Sequence, residues 1–185
     1  MAASTLGIPA PVSTSYCVPN LTELNFVDKA LSFSGAKFTI KDPQGNLLFQ
    51  VEDQWPSRQS KHIVCDSSEK ALVVLTKEER TRHDTWEATR ANGDQETVFV
   101  MKLSSLNPLH TNFDVFMGRN TSTSRPEFTV KSDIRKFNYT ICHNDVPIAQ
   151  ATRRLKFGKN QYIAIIKPGV DIAFIAMLVV IIMVN

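Results

Sequence analysis

Cysteine is scarce and scattered in this sequence. Cys17, Cys65 and Cys142 are odd in number, far apart, and form no CxxC pair. That pattern excludes a disulfide framework and a zinc site and points to a reducing compartment. The first fourteen residues lack both a basic start and a long apolar core, so they do not read as a signal peptide. Arginine is also missing there, which argues against a transit peptide. The stretch is rich in Ala, Ser, Thr and Pro, and we expect residues 1–22 to be a flexible segment. No glycine-rich loop resembles a phosphate cradle, and no Ser or Cys sits in a nucleophile-elbow pattern. Net charge is only +3 over 185 residues, so affinity for phosphates would have to come from a local cluster. No linker divides the chain and no repeat has a fixed period. Three Asn-x-Ser/Thr triplets, at Asn20, Asn120 and Asn138, carry no meaning without a secretory route.

What is present is a succession of short strands and turns. Phe38–Lys41 alternates, Asp42-Pro-Gln-Gly-Asn supplies turn chemistry, and Leu47–Val51 resumes the alternation. Proline presets φ and glycine permits positive φ, so this segment is a hairpin. Further strands are expected at Ile63–Cys65, Ala71–Thr76, Thr85–Thr89, Thr97–Lys102, Phe113–Phe116, Glu127–Lys131, Asn138–Cys142, Ile148–Arg153 and Tyr162–Ile166. Asp66-Ser-Ser, Asn92-Gly-Asp, Asn107-Pro and Asn144-Asp are the turn-prone links between them. Many short strands with regular turns indicate an antiparallel sandwich or barrel.

The end of the sequence breaks this pattern. Ile172–Val184 holds thirteen residues without a polar side chain. Pro168 suits a helix start, and Asp171 suits the positive end of a helix dipole. β-branched residues near the C-terminal end weaken helix propensity, but thirteen uninterrupted residues are long for one strand. A helix over 169–184 would span about 24 Å at 1.5 Å per residue, against a hydrocarbon core of roughly 30 Å. Lys167 and Asp171 block an extension towards Tyr162, since a charge at membrane depth costs at least ~2.5 kcal/mol. We therefore expect no transmembrane span. A helix apolar on every face needs cover on every face. About ten large side chains, each contributing ~1.5–3 kcal/mol when buried, would supply on the order of 20 kcal/mol of gross stabilisation. A closed barrel of strands around the helix provides that cover.

Along the chain, in order, stand Tyr16-Cys-Val-Pro19, the hairpin Phe38 to Val51, Val64-Cys-Asp66 with Ala71–Leu75, Trp86, Phe99–Lys102, Ile148-Ala-Gln150, Tyr162, and Pro168-Gly-Val-Asp171 leading into the apolar run. Together these segments resemble the plant LURP-one-related family, whose domain belongs with the tubby C-terminal domain and the phospholipid scramblases. Cys65, Ile175 and Met183 depart from the pattern by apolar exchanges only. The resemblance runs from about residue 15 and implies a mainly β fold, a twelve-stranded closed antiparallel β-barrel over 23–185 enclosing the C-terminal helix. It implies much less about function. Tubby relatives bind phosphoinositides, scramblase relatives act at membranes, and some plant members are tied to pathogen defence.

Catalytic chemistry finds no support in the residues. His62, His83, His110 and His143 are scattered, and each reads as a surface residue. His83 and Asp84 are adjacent, which in a strand puts them on opposite faces. No spacing matches a metal site, and a scramblase-like calcium segment would need clustered acids where only Asp171 is present. We expect no enzyme activity, no metal and no cofactor. Trp86 reads as core. Trp55 reads either as an exposed contact or as a cap on the barrel end.

One cluster stands out. Arg153, Arg154, Lys156 and Lys159 crowd into seven positions, and from Gln150 to Lys167 there are five cations and no acid. Lys131, Arg135 and Lys136 form a weaker group, tempered by Asp133. Multiple cations with hydrogen-bond donors are what an inositol phosphate head group requires. A solvated hairpin loop is the competing reading of the same residues. Base-stacking aromatics are sparse, so no nucleic-acid partner is expected. The sequence thus points to a cytoplasmic binding or scaffold protein, docking to a phosphoinositide or other anionic membrane surface as a peripheral protein. The alternative is a protein–protein adaptor.

Overall fold

The computed structural model describes residues 7–28, 36–54, 60–78, 84–104, 111–119, 125–133, 137–156 and 159–185, without the side chains of Ala36, Lys37, Lys156, Lys159 and Asn160. Twelve strands run in chain order: β1 (Thr22–Asp28), β2 (Ala36–Lys41), β3 (Leu47–Asp53), β4 (Lys61–Asp66), β5 (Ala71–Glu78), β6 (Thr85–Arg90), β7 (Thr97–Leu103), β8 (Phe113–Met117), β9 (Phe128–Asp133), β10 (Asn138–His143), β11 (Val146–Lys156) and β12 (Lys159–Ile166). Each pairs antiparallel with its sequence neighbours, and β1 pairs with β12 to close the barrel. A single helix, α1 (Ile172–Val184), follows them.

Local chemistry accounts for the turns. Asp42 closes the β2–β3 hairpin by accepting Asn46 N at 2.8 Å and Asn46 Nδ2 at 2.7 Å, while Gly45 takes φ +90°. Asn144 and Asp145, at φ +47° and +66°, form the two-residue turn between β10 and β11; both positions need the left-handed region that a type I′ turn demands. Register shifts at Ile40/Lys41, Val64/Cys65, Ala88/Thr89 and Ile141/Cys142 all fall in hairpins at the end of the barrel where α1 begins. Such bulges sharpen the local twist and help a sheet to close.

Inward positions fill with Leu24, Phe26, Val51, Val64, Leu75, Ala88, Met101, Val115, Val130, Ile141, Ala151 and Ala164, all at 0 % exposure. Every residue of α1 from Ile172 to Ile182 is buried against them. Phe174 meets the wall through two aromatic contacts: edge-on to Phe99 (centroids 5.3 Å, 85°) and tilted against Phe128 (4.7 Å, 54°). Most outward residues are polar or half-exposed, as the two-residue side-chain period requires, while Val98 and Val100 on β7 and Phe116 on β8 are apolar and buried. Trp86 is core, as its strand position suggested. No helix among the described residues is long and apolar enough to cross a membrane.

Three expectations need correction. The helix begins at Ile172, not at residue 169. Gly169 takes φ +79° in the turn after β12, and Asp171 is the N-cap, accepting Ala173 N at 3.0 Å and Phe174 N at 3.1 Å through Oδ1. The expectation of a flexible segment over 1–22 fails from residue 8 onward. Ile8 and Val12 are buried in the main core, and a 3₁₀ turn (Thr14–Tyr16) leads through Cys17, which bridges to Asp171. The second oxygen of Asp171 accepts Val12 N at 2.8 Å and Ser13 N at 3.1 Å, and Arg90 donates to the carbonyls of Pro11 and Val12. Polar composition suggested a tail, but two buried apolar side chains and one carboxylate hold the segment across the barrel mouth. His62, expected at the surface, is only 4 % exposed. It stacks on Trp86 (5.7 Å, 25°), and its Nδ1 lies 2.5 Å from Asp53 Oδ1. His83, His110 and Trp55 lie outside the described residues, as do Arg135 and Lys136 of the weaker basic group.

The far end of the barrel, where α1 finishes, is closed by polar contacts. Asn185 Oδ1 accepts from Trp86 Nε1 and from Lys77 Nζ, both at 3.3 Å, and Lys77 pairs with Asp84 at 3.0 Å.

Candidate functional site

At that far end the β11–β12 hairpin runs past the described residues of its neighbours. The register of β12 with β1 stops at the Phe26–Tyr162 pair, and that of β10 with β11 stops at Asn138–Thr152. One further backbone bond, Arg153 N to Phe137 O at 2.9 Å, ties the arm to the chain before β10. Beyond it, among the described residues, the strands pair with each other, Arg154 with Gln161, Leu155 with Asn160 and Lys156 with Lys159, as a two-stranded ribbon.

The four cations singled out in the sequence all lie on this ribbon. Strand alternation separates the two arginines that stand next to each other in sequence. Arg153 continues the inward row of Ala149 and Ala151, whereas Arg154 continues the outward row of Gln150 and Thr152. Both are exposed. The Arg153 guanidinium lies 5.8 Å from the centroid of the Phe137 ring, the geometry of a cation–π contact. Tyr139 and Tyr162, 6.5 Å apart by ring centroid, stand beneath it. Burial pushes both phenols up from their ordinary value, and the Arg153 charge opposes that shift in each. The side chains of Lys156 and Lys159 lie outside the described residues, but their backbones are in direct register at the tip.

None of the cross-strand partners of these cations is acidic: they are Tyr162, Gln161 and the opposed lysine pair. Several basic residues elsewhere are held in ion pairs. Lys131 and Arg125 share Asp145 at 3.2 Å each, Arg119 pairs with Glu87 at 3.1 Å, and Arg90 with Glu96 at 3.2 Å.

Two apolar residues of the arm region escaped the sequence reading. Leu155 is 75 % exposed and Phe137 is 54 % exposed. Phe137 takes φ +52°, a backbone state that bulky residues rarely adopt. Leu155 carried a signal, an isolated leucine among cations. Phe137 carried none, because its place beside Arg153 depends on the register of β10 with β11.

Elsewhere, a cavity of about 310 Å³ opens beside the N-terminal segment, lined by Ser13, Ser15, Tyr16, Lys70 and Arg90 among others. Its arginine is already engaged with Glu96 and with the carbonyls of Pro11 and Val12. No group of three or more His, Cys, Asp or Glu residues among those described is placed to hold a metal ion. Burial raises the thiols of Cys65 and Cys142 above their usual value, which keeps them in the unreactive protonated form.

Comparison with known proteins bears on the whole of this architecture. The LURP-one-related family model matches residues 22–183, which takes in every strand of the barrel and nearly all of α1. The chain belongs to the LURP-one-related family. Among curated relatives, protein LURP-one-related 15 of Arabidopsis thaliana is 31% identical over 190 residues, covering 95% of this chain and 88% of the relative. Protein LURP1 of the same plant is 31% identical over 179 residues, covering 92% and 86%. The X-ray structure of an Arabidopsis thaliana protein superimposes with a TM-score of 0.71 at 29% identity, covering 92% of this chain and 94% of that one. The LURP-one-related barrel is thus shared along almost its full length.

Proposed function

We propose that this LURP-one-related protein is a non-enzymatic binding module that docks on phosphorylated head groups of an anionic membrane, phosphoinositides being the best chemical match. The observation that carries the reading is the β11–β12 hairpin, whose register gathers Arg153, Arg154, Lys156 and Lys159 on two paired strands at one end of the barrel. Like charges placed directly across a strand pair are destabilising, so the Lys156–Lys159 register costs free energy that a bound polyanion would relieve. Each cation near an anionic surface contributes about 1 kcal/mol, which makes attachment weak, reversible and salt-dependent.

Sedimentation with phosphatidylcholine vesicles containing phosphatidylinositol bisphosphate tests this. The wild-type chain should pellet with them at low salt and release as salt rises. The variant with Arg153, Arg154, Lys156 and Lys159 all replaced by Ala should pellet no more than with neutral vesicles. Equal binding by the two proteins would remove the lipid role from these residues. A stable protein partner co-purifying with a chain that has no vesicle affinity would favour an adaptor instead.

A further inference from the structure

The cavity beside the N-terminal segment lies at the Asp171 end of the barrel, opposite the basic hairpin, and every residue lining it is among those described. Three separate pieces of chain form it, and backbone bonds hold each of them. Asp66 closes the β4–β5 turn, its Oδ1 accepting Ser68 N at 2.8 Å and Lys70 N at 3.0 Å, and this sets Lys70 on the cavity rim. At the end of β6, Arg90 N donates to Glu96 O at 2.8 Å and Ala91 N donates to Leu72 O at 3.1 Å, which fixes the arginine beside β5. The N-terminal segment brings Ser13 and Ser15, and Asp171 pins it through the amides of Val12 and Ser13. The walls therefore keep their shape without a ligand.

The hydrogen-bonding capacity left in those walls defines what they can hold. A guanidinium carries five N–H groups. Arg90 uses three of them, on Glu96 Oε2 and on the carbonyls of Pro11 and Val12, and two remain. Lys70 Nζ has no ion pair or hydrogen bond among the described residues. Ser13 Oγ and Ser15 Oγ lie 2.8 Å apart, and Ser13 Oγ also accepts Ser15 N at 3.2 Å, so the pair uses one hydroxyl proton and keeps the other. No Asp or Glu lines the cavity. The spare groups are thus chiefly donors, most of them on cations, and they come from three directions. Val12, Ala71 and Leu72 make the rest of the wall apolar.

We propose that this cavity binds a small soluble organic phosphate, a phosphate monoester on a compact apolar or aromatic body. Lys70, Arg90 and the Ser13–Ser15 pair surround the phosphoryl oxygens, and Val12 and Leu72 lie against the body. A phosphoryl group offers three terminal oxygens, one for each donor-bearing segment, whereas a carboxylate offers two. Charge-assisted hydrogen bonds to such oxygens are the strong ones. The volume of about 310 Å³ is at the small end of ligand pockets and exceeds what a bare ion needs. Position argues against a lipid head group. The cavity and the cation-rich hairpin lie at opposite ends of the barrel, so a membrane held by one leaves the other in water. The site is separate from the head-group reading and does not rest on it.

The experiment follows the amide NMR signals of the full chain. Phenyl phosphate, added into the low millimolar range, should give saturable shifts at Ser13, Ser15, Lys70, Ala71 and Asn92, and benzyl alcohol, which carries the ring without the charge, should give none. Lys70 is exposed and its side chain holds nothing else among the described residues. Lys70→Gln should therefore weaken phenyl phosphate binding about tenfold, the effect of one lost hydrogen bond between charged groups. Its melting temperature and its vesicle sedimentation should match the wild type. Ala71→Phe, at an exposed position that lines the cavity, fills the space without removing a cation and should weaken binding further. Absence of saturable shifts at these residues, with vesicle binding retained, would overturn the cavity as a ligand site and leave the head-group reading standing. Equal affinity in Lys70→Gln, or benzoate binding as tightly as phenyl phosphate, would overturn the phosphate assignment. Displacement of phenyl phosphate by a lower concentration of inositol trisphosphate would overturn the soluble, apolar-bodied ligand in favour of a head-group pocket.

Discussion

Replacing Phe174 by alanine should lower the free energy of unfolding by about 3–5 kcal/mol, the cost of a large cavity in a packed core. Phe174 is 1 % exposed, sits in the first turn of α1, and touches one side of the wall through Phe99 on β7 and Phe128 on β9. Two strands, β7 and β9, are thereby held against one side chain. Domains of this size are stable by only ~5–15 kcal/mol, so the substitution consumes a large part of the margin. Urea unfolding followed by far-UV dichroism gives the number, with Leu21→Ala as control. Leu21 is 65 % exposed, and its replacement should stay within about ±0.5 kcal/mol of wild type. A Phe174→Ala loss no larger than the control's would mean that α1 is not packed inside the barrel.

Asp171→Ala should cost on the order of 3 kcal/mol, for a different reason. One fully buried carboxylate accepts four backbone N–H groups, two from the first turn of α1 and two from Val12 and Ser13. Loss of a helix cap costs ~1 kcal/mol, and each buried N–H left without an acceptor adds ~1–3 kcal/mol. Burial pushes this carboxyl above the ordinary carboxylate value while the four donors pull it back, so relief of desolvation offsets part of the sum. Asp171→Asn should recover only part of the loss, because its amide N–H₂ would face one of the two donor pairs. Limited proteolysis separates this effect from general destabilisation. Residues 7–18 should be cut in Asp171→Ala under conditions where the barrel remains intact. Simultaneous loss of segment and barrel would show that Asp171 acts through the helix alone.

Much of the fold was legible because the informative signals are local. Asp42, Gly45 and Asn46 declare a turn within five residues, and the apolar run of Ile172–Val184 declares its need for cover without reference to anything else. The features that escaped depend on distant partners. β1 reads Thr-Glu-Leu-Asn-Phe-Val-Asp, in which four of seven residues are polar and dilute the apolar signal; Leu24 and Phe26 become a strand by pairing with β12 and β2 at closure. The N-terminal segment is anchored by a carboxylate 159 positions away. His62 is buried because β3 supplies Asp53 and β6 supplies Trp86.

The candidate site shows the same division. Arg153, Arg154, Lys156 and Lys159 were visible as a cluster in the sequence. Their split between two faces followed only once Ala149 and Ala151 were known to point inward. Phe137 was invisible, since nothing in its neighbourhood along the chain places it across from Arg153.

The order of elements along the chain carries a consequence for biosynthesis. All twelve strands precede α1, so a ribosome delivers a complete set of barrel staves before it delivers the core they close upon. Until the helix emerges, inward faces bearing Phe26, Phe49, Phe99, Phe113 and Phe128 have nothing to pack against, and the first and last staves cannot be joined. Non-local strand pairing is slow, and exposed strand edges invite aggregation. The order of elements therefore favours assembly of the barrel in one late step, around a helix that follows every one of its staves.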